Sequence, residues 1–77
     1  MSKNQRGELE KRLKSIEAEI PRFEAEAANF TNEMARPEIA SDFPRLSELT
    51  GSLNTAEKRV NELYTEWETI TSKLAEG

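Results

Sequence analysis

Apolar side chains recur at alternating spacings of four and three residues along two stretches of this 77-residue chain. Such a seven-residue repeat keeps one seam of a helix facing a partner helix. The first seam consists of Leu9, Leu13, Ile16, Ile20, Phe23, Ala27, Phe30 and Met34. The second consists of Leu46, Leu49, Leu53, Ala56, Val60, Leu63, Trp67, Ile70 and Leu74. Two such helices on one short chain most simply fold back on each other, so the sequence predicts an all-α, antiparallel two-helix coiled-coil hairpin.

Proline positions set the expected bounds of the first helix. We expect this helix over residues 8–35, because the residue before Pro37 is disfavoured in helical backbone. Residues 1–7 are polar and are expected to form a linker or a frayed lead-in. Pro21 falls on the outer side of the helix, where water can satisfy the freed carbonyl, and it is expected to bend the helix without breaking it.

The second helix is expected over residues 44–75, after a proline-containing connection. Asp42 is the predicted N-cap, and Pro44 is predicted in the first turn. Helix propensity is poor from Gly51 to Thr55. The apolar seam nevertheless stays in phase across this segment, and we therefore expect one unbroken helix.

Periodicity alone leaves the register between the two helices open by one heptad. One register places Phe23 near Val60, and the other places Phe23 near Leu53. We favour the first, because it leaves a longer connection for the two prolines and the cap. In either register Ile39 and Phe43 are expected to pack under the tip of the hairpin.

Composition argues against several kinds of site. The chain has no cysteine and no histidine, so it cannot form a disulfide scaffold, a thiol nucleophile or the usual zinc sites. It carries neither a phosphate-binding glycine loop nor a dinucleotide fingerprint. No apolar run is long enough for a membrane span or a signal peptide, and a cytoplasmic protein is expected. We therefore expect no catalysis, metal or cofactor in this chain.

The start of the chain is basic although the whole chain is acidic. Residues 1–14 hold five basic residues and two glutamates, a net charge of +3, whereas the remaining residues carry −7. Clustered cations can hold nucleic-acid phosphates without reading sequence. The candidate contact residues are Lys3, Arg6, Lys11, Arg12 and Lys14. The alternative is ordinary ion pairing with Glu66, Glu68 and Glu76, which antiparallel folding brings close to this stretch.

The order of these features resembles the C-terminal domain of ABC-F family ATPases of the Uup type. The family's connection, Asp-Pro-x-x-Tyr-x-Asp-Pro-x-x-Leu-x-Glu-Leu, lines up without gaps with residues 36–49, and its Leu-Tyr-x-x-Trp-Glu element with residues 63–68. The resemblance covers residues 3–74. The departures are Arg36 for the first Asp, Ala40 for Tyr, Phe43 for Pro, and Pro21 inside the first helix.

The resemblance implies that residues 8–77 are a non-catalytic accessory domain from the C-terminus of a soluble protein with two ATP-binding cassettes. Such proteins act in translation at the ribosome, and ATP and Mg²⁺ would bind only in the parent protein. In Uup-like members this domain is implicated in DNA binding and in supporting the ATPase. We therefore expect a monomer or weak dimer that binds DNA or ribosomal RNA through the five basic residues. The alternative is a protein-interaction module that docks on the parent cassettes or self-associates.

Overall fold

The computed structural model describes all 77 residues and is entirely helical, without strands. Helix α1 spans Lys3–Met34, the short helix α2 spans Pro37–Ala40, and helix α3 spans Phe43–Glu76. The molecule is a rod of 56 × 15 × 14 Å. The predicted all-α class is confirmed, and two long helices dominate the molecule as the two apolar seams predict.

Helix α1 begins at Lys3, five residues before the expected start. The Gln5 backbone N–H donates to Ser2 Oγ at 3.1 Å, and the Ser2 backbone N–H donates to Gln5 Oε1 at 3.2 Å. These reciprocal bonds form a capping box, which satisfies two backbone donors that a helix start would otherwise leave unpaired. The prediction that residues 1–7 form a linker or frayed lead-in is therefore wrong for residues 3–7.

Pro21 lies inside α1 without breaking it, as predicted. Its side chain is exposed, which leaves water free to satisfy the carbonyl that loses its donor. The helix ends at Met34, one residue before the expected end, and Ala35 is its C-cap.

The start of α3 confirms the predicted cap. The Arg45 backbone N–H donates to Asp42 Oδ1 at 3.2 Å, and a proline stands in the first turn. Ile39 is half-buried, but Phe43 is 78% exposed, so the prediction that Phe43 packs under the tip is wrong. Because the cap fixes Phe43 as the first helical residue, helical phase carries its side chain roughly 120° around α3 from the seam.

Helix α3 continues without interruption through Gly51–Thr55, as predicted. Helices α1 and α3 run antiparallel. Arg12 near the start of α1 pairs with Glu66 near the end of α3. At the other end of the rod, Arg45 of α3 pairs with Glu33 of α1.

The core lies along the contact between α1 and α3. Only six residues are buried: Ile16, Ile20, Leu49, Ala56, Leu63 and Ile70. Ile16, Ile20, Leu63 and Ile70 form one cluster, and the seam residues Leu9, Leu13, Phe23, Trp67 and Leu74 pack against it while half-buried. All of these belong to the predicted seams, so burial follows the heptad pattern. The cluster occupies the half of the rod that contains the chain termini.

Two cross-helix contacts identify the register. Trp67 Nε1 donates to Glu17 Oε2 at 3.3 Å, and Arg59 Cζ lies 6.0 Å from the centroid of the Phe23 ring. A slip of one heptad would separate each pair by about 10 Å along the rod. The contacts agree with the register that we favoured, in which Phe23 lies near Val60.

Candidate functional site

The five candidate residues occupy the first turns of α1, but the structure does not bring them together as one patch. Helical phase divides them between two sides of α1. Arg6 and Arg12 contact α3, whereas the three lysines lie on the opposite side of α1 and are exposed. The lysines are therefore the part of the predicted site that remains free to meet a ligand.

Arg12 is held between the two helices by a fork of charge-assisted hydrogen bonds. Its Nε donates to Glu66 Oε2 at 2.6 Å, its Nη2 donates to Glu66 Oε1 at 2.9 Å, and its Nη1 donates to Glu19 Oε2 at 3.3 Å. The hydrogen bond from Arg12, followed by the attraction of Arg12 and Arg59, lowers the pKa of Glu66 against the opposing effect of partial burial. Arg12 thus joins α1 to α3 rather than facing a ligand.

Arg6 also contacts α3 and therefore helps to hold the two helices together. Its Nε lies 3.1 Å from Glu10 Oε1, one turn further along α1. Its Nη1 donates to the backbone oxygen of Leu74 at 3.4 Å, close to the C-terminus of α3. A cation is favourable there, because the last carbonyls of a helix lack partners and carry partial negative charge.

The side of α1 opposite the seam carries basic and uncharged residues and no carboxylate. We call the sector within roughly 60° of that direction the outer face of α1. It consists of Lys3, Asn4, Gly7, Lys11, Lys14, Ala18, Pro21, Arg22, Ala25, Asn29 and Asn32, all of them exposed. Helix α1 contains seven glutamates, and every one of them falls outside this sector. The sector itself therefore carries only positive charge, although Glu8 and Glu10 flank it one turn from Lys11 and Lys14.

Cations on the outer face have no ion-pair partners. Every ion pair in the chain uses Arg6, Arg12, Arg36, Arg45 or Arg59 as its cation, and none uses a lysine. Arg22 is also free of carboxylates, and its Cζ lies 5.3 Å from the centroid of the Phe23 ring. Lys3, Lys11, Lys14 and Arg22 thus form a row of four free cations along one side of the helix.

The predicted set omitted Arg22 and the small residues between the cations. A helical projection of the sequence carries this signal, since it separates the seven glutamates from the sector opposite the seam. Gly7, Ala18 and Ala25 have short side chains, so the helix backbone can come close to a partner surface. Ammonium groups on such a face act as mobile point charges that bind phosphate oxygens without fixed geometry.

The chain can be assigned to a family. Its sequence matches the family described as ABC transporter C-terminal domain over residues 2–72. A search of curated proteins found no match, and neither did a search of solved structures. None of the three helices is both long and apolar enough to cross a lipid bilayer. The matched region includes α1, α2 and most of α3, and the chain therefore belongs to the family of ABC transporter C-terminal domains.

Proposed function

We propose that this chain is the non-catalytic C-terminal accessory domain of a cytoplasmic ABC-F type ATPase and that it binds nucleic-acid phosphates through the outer face of α1. The ligand is DNA or ribosomal RNA. ATP and Mg²⁺ act in the cassettes of the parent protein, where they supply energy for motion, and this domain contributes the contact to the polyanion.

One observation supports the proposal above the others, namely the free state of the lysines on the outer face of α1. Lys3, Lys11 and Lys14 have no carboxylate partner, whereas Arg6 and Arg12 of the same stretch are engaged with α3 or with Glu10. Binding phosphates through these lysines therefore sacrifices no intramolecular ion pair. Because the outer face carries no carboxylate, the charges that an approaching polyanion meets first on that face are the free lysines.

The size of the lysine row sets the expected strength of binding. Eleven residues separate Lys3 from Lys14, so the row is about 17 Å long. Three phosphate contacts on duplex DNA correspond to a slope of about −3 in a plot of log affinity against log salt concentration. We therefore expect weak, sequence-independent binding that disappears at high salt.

The test compares two variants with the same change in net charge. Lys11→Gln/Lys14→Gln removes two cations from the outer face. The control, Arg36→Gln/Lys73→Gln, removes two cations elsewhere, and Lys73 lies at the same end of the rod as the lysine row, on α3. Fluorescence anisotropy with a short labelled duplex and with a structured RNA, between about 50 and 200 mM salt, gives affinity and salt slope for each protein.

We expect the Lys11→Gln/Lys14→Gln variant to lose affinity for the tighter ligand and to reduce the salt slope by about 2, while the control retains the slope of the unmodified chain. The tighter of the two ligands then indicates the natural partner. Equal losses in both variants would mean that only net charge matters, and an unchanged slope in the first variant would exclude the outer face as the contact.

A further inference from the structure

The four free cations on the outer face of α1 fall along two lines. A helix turns about 100° per residue, so residues eleven apart lie almost above one another. Lys3 and Lys14 are eleven residues apart, and so are Lys11 and Arg22. Helical phase places the first pair roughly 40° to one side of the centre of the face and the second pair roughly 40° to the other side. Each line is about 17 Å long.

Small uncharged residues occupy the strip between the two lines. Gly7, Ala18 and Ala25 fall within roughly 10° of the centre of the face, and all three are exposed. A Cβ atom added to Gly7 would meet no atom within 4 Å, so no other part of the chain covers the strip there. The outer face is therefore a low central strip with positive charge along both edges.

The two lines are related by an approximate two-fold axis. Positions 3 and 22 are equally far from the midpoint between residues 12 and 13, and so are positions 11 and 14. A rotation of 180° about an axis that leaves the face at this midpoint exchanges Lys3 with Arg22 and Lys11 with Lys14. The same kind of axis exchanges the two antiparallel backbones that border a groove of a nucleic-acid duplex. The cations thus match the symmetry of two strands.

A duplex also matches the face in its dimensions. An α-helix with its side chains is about 10–12 Å across, and the major groove of B-form DNA, about 12 Å wide, admits an α-helix. Helix α3 packs on the seam of α1, opposite the outer face, and does not obstruct the approach. A single strand presents one line of phosphates and reaches both edges only by crossing the face repeatedly, which costs ordering entropy.

We infer that the outer face of α1 binds a nucleic-acid duplex with one strand on each edge. Lys3 and Lys14 contact one backbone, and Lys11 and Arg22 contact the other. The inference rests on the proposed function, and it adds Arg22 to the three lysines as the fourth phosphate contact. Arg22 is available for this role, because it has no carboxylate partner and its Cζ lies 5.3 Å from the centroid of the Phe23 ring.

Salt dependence tests the two-strand contact. Fluorescence anisotropy between about 50 and 200 mM salt gives the slope of log affinity against log salt for a duplex DNA, a duplex RNA and a single strand of thymidines. Four contacts on a duplex predict a slope of about −4, and two contacts along one edge predict about −1.5 for the single strand. The duplex that gives the steeper slope identifies DNA or RNA as the source of the two backbones.

Variants of Arg22 separate the two edges. Arg22→Gln removes one contact from the duplex but leaves the line of Lys3 and Lys14 complete. We expect it to reduce the duplex slope by about 1 and to leave the single-strand slope unchanged. Arg22→Lys keeps the charge and should retain the slopes of the unmodified chain. Lys73→Gln, which removes one cation from α3, is the matched control and should also retain them.

Two results would overturn the inference while the proposed function stands. One is a single-strand slope as steep as the duplex slope, which would mean that all four cations follow one strand. The other is an unchanged duplex slope in Arg22→Gln, which would limit the contact to the lysines. Absence of binding to all three ligands at about 50 mM salt would overturn both the inference and the proposed function.

Discussion

Arg12 and Glu66 form the shortest ion pair in the chain, and this pair makes stability depend on pH. Hydrogen bonding and attraction by Arg12 lower the pKa of Glu66 in the folded chain below its value in the unfolded chain, about 4.3. A lowered folded pKa contributes stability that is present above the unfolded pKa and is lost as the pH falls through the folded pKa. The contribution is about 1 kcal/mol or less, because both side chains are more than a third exposed.

Glu66→Gln should therefore melt a few degrees lower than the unmodified chain at pH 7, since about 1 kcal/mol corresponds to roughly 4–8 °C in a domain of this size. The difference should begin to shrink as the pH falls below the unfolded pKa of about 4.3, and it should vanish at a pH below the lowered folded pKa, where Glu66 is protonated in both states. Thermal melts followed by circular dichroism from neutral to acid pH provide the measurement. Glu68→Gln, at an exposed residue without an ion pair, is the control. A Glu66→Gln difference that persists unchanged in acid would show that the charge of Glu66 is not its cause.

Among the helices, α1 carries an interior proline, Pro21, which lowers its stability relative to alanine at the same position. Proline inside a helix is about 3 kcal/mol less favourable than alanine, while alanine gives the unfolded chain extra freedom worth about 1 kcal/mol. Pro21→Ala should therefore raise the free energy of unfolding by about 2 kcal/mol in urea titrations. Ala25→Pro, one turn further along the same exposed face, reverses both effects and should lower it by about 2 kcal/mol. A Pro21→Ala variant less stable than the unmodified chain would mean that packing requires the proline geometry.

The elements also show which features were predictable from sequence. Helix type, the Asp42 cap and the continuity of α3 follow from local residue patterns, so sequence reasoning could predict them. The Ser2 and Gln5 side chains carry a capping-box signal that is equally local, so the start of α1 is also predictable from sequence. The exposure of Phe43 follows from helical phase only once the cap is known.

The candidate site also has one part that sequence predicts and one part that depends on how the helices pack. Sequence identified the basic stretch, but it could not separate free cations from paired ones. That Arg12 meets Glu66 depends on how α1 and α3 align, and a heptad pattern permits alignments one heptad apart. The Arg6 contact with the Leu74 carbonyl depends also on where α3 ends. The lysine row on the outer face needed no alignment, since it follows from helical phase within α1 alone.

Across the whole molecule, packing is uneven along the rod. The cluster of Ile16, Ile20, Leu63 and Ile70 lies in the half that contains the termini, whereas the half at the hairpin tip buries only Leu49 and Ala56. Local opening costs less free energy where fewer apolar contacts are lost. We therefore expect amide hydrogen exchange to be slowest around residues 13–23 and 60–70, and faster across residues 27–51 although these are mostly helical.

Two side-chain truncations test whether the free energy of local opening differs between the two halves of the rod. Ile16→Ala removes a fully buried side chain from the cluster and should cost about 2–5 kcal/mol, which accelerates exchange along the entire rod because the last structure to open is weakened. Leu49→Ala should accelerate exchange mainly in the tip half, since the cluster remains closed when the tip opens. Hydrogen exchange followed residue by residue by NMR measures both variants. Uniform acceleration by Leu49→Ala would show instead that the rod opens as one cooperative unit, in which case the tip half and the cluster have the same free energy of opening.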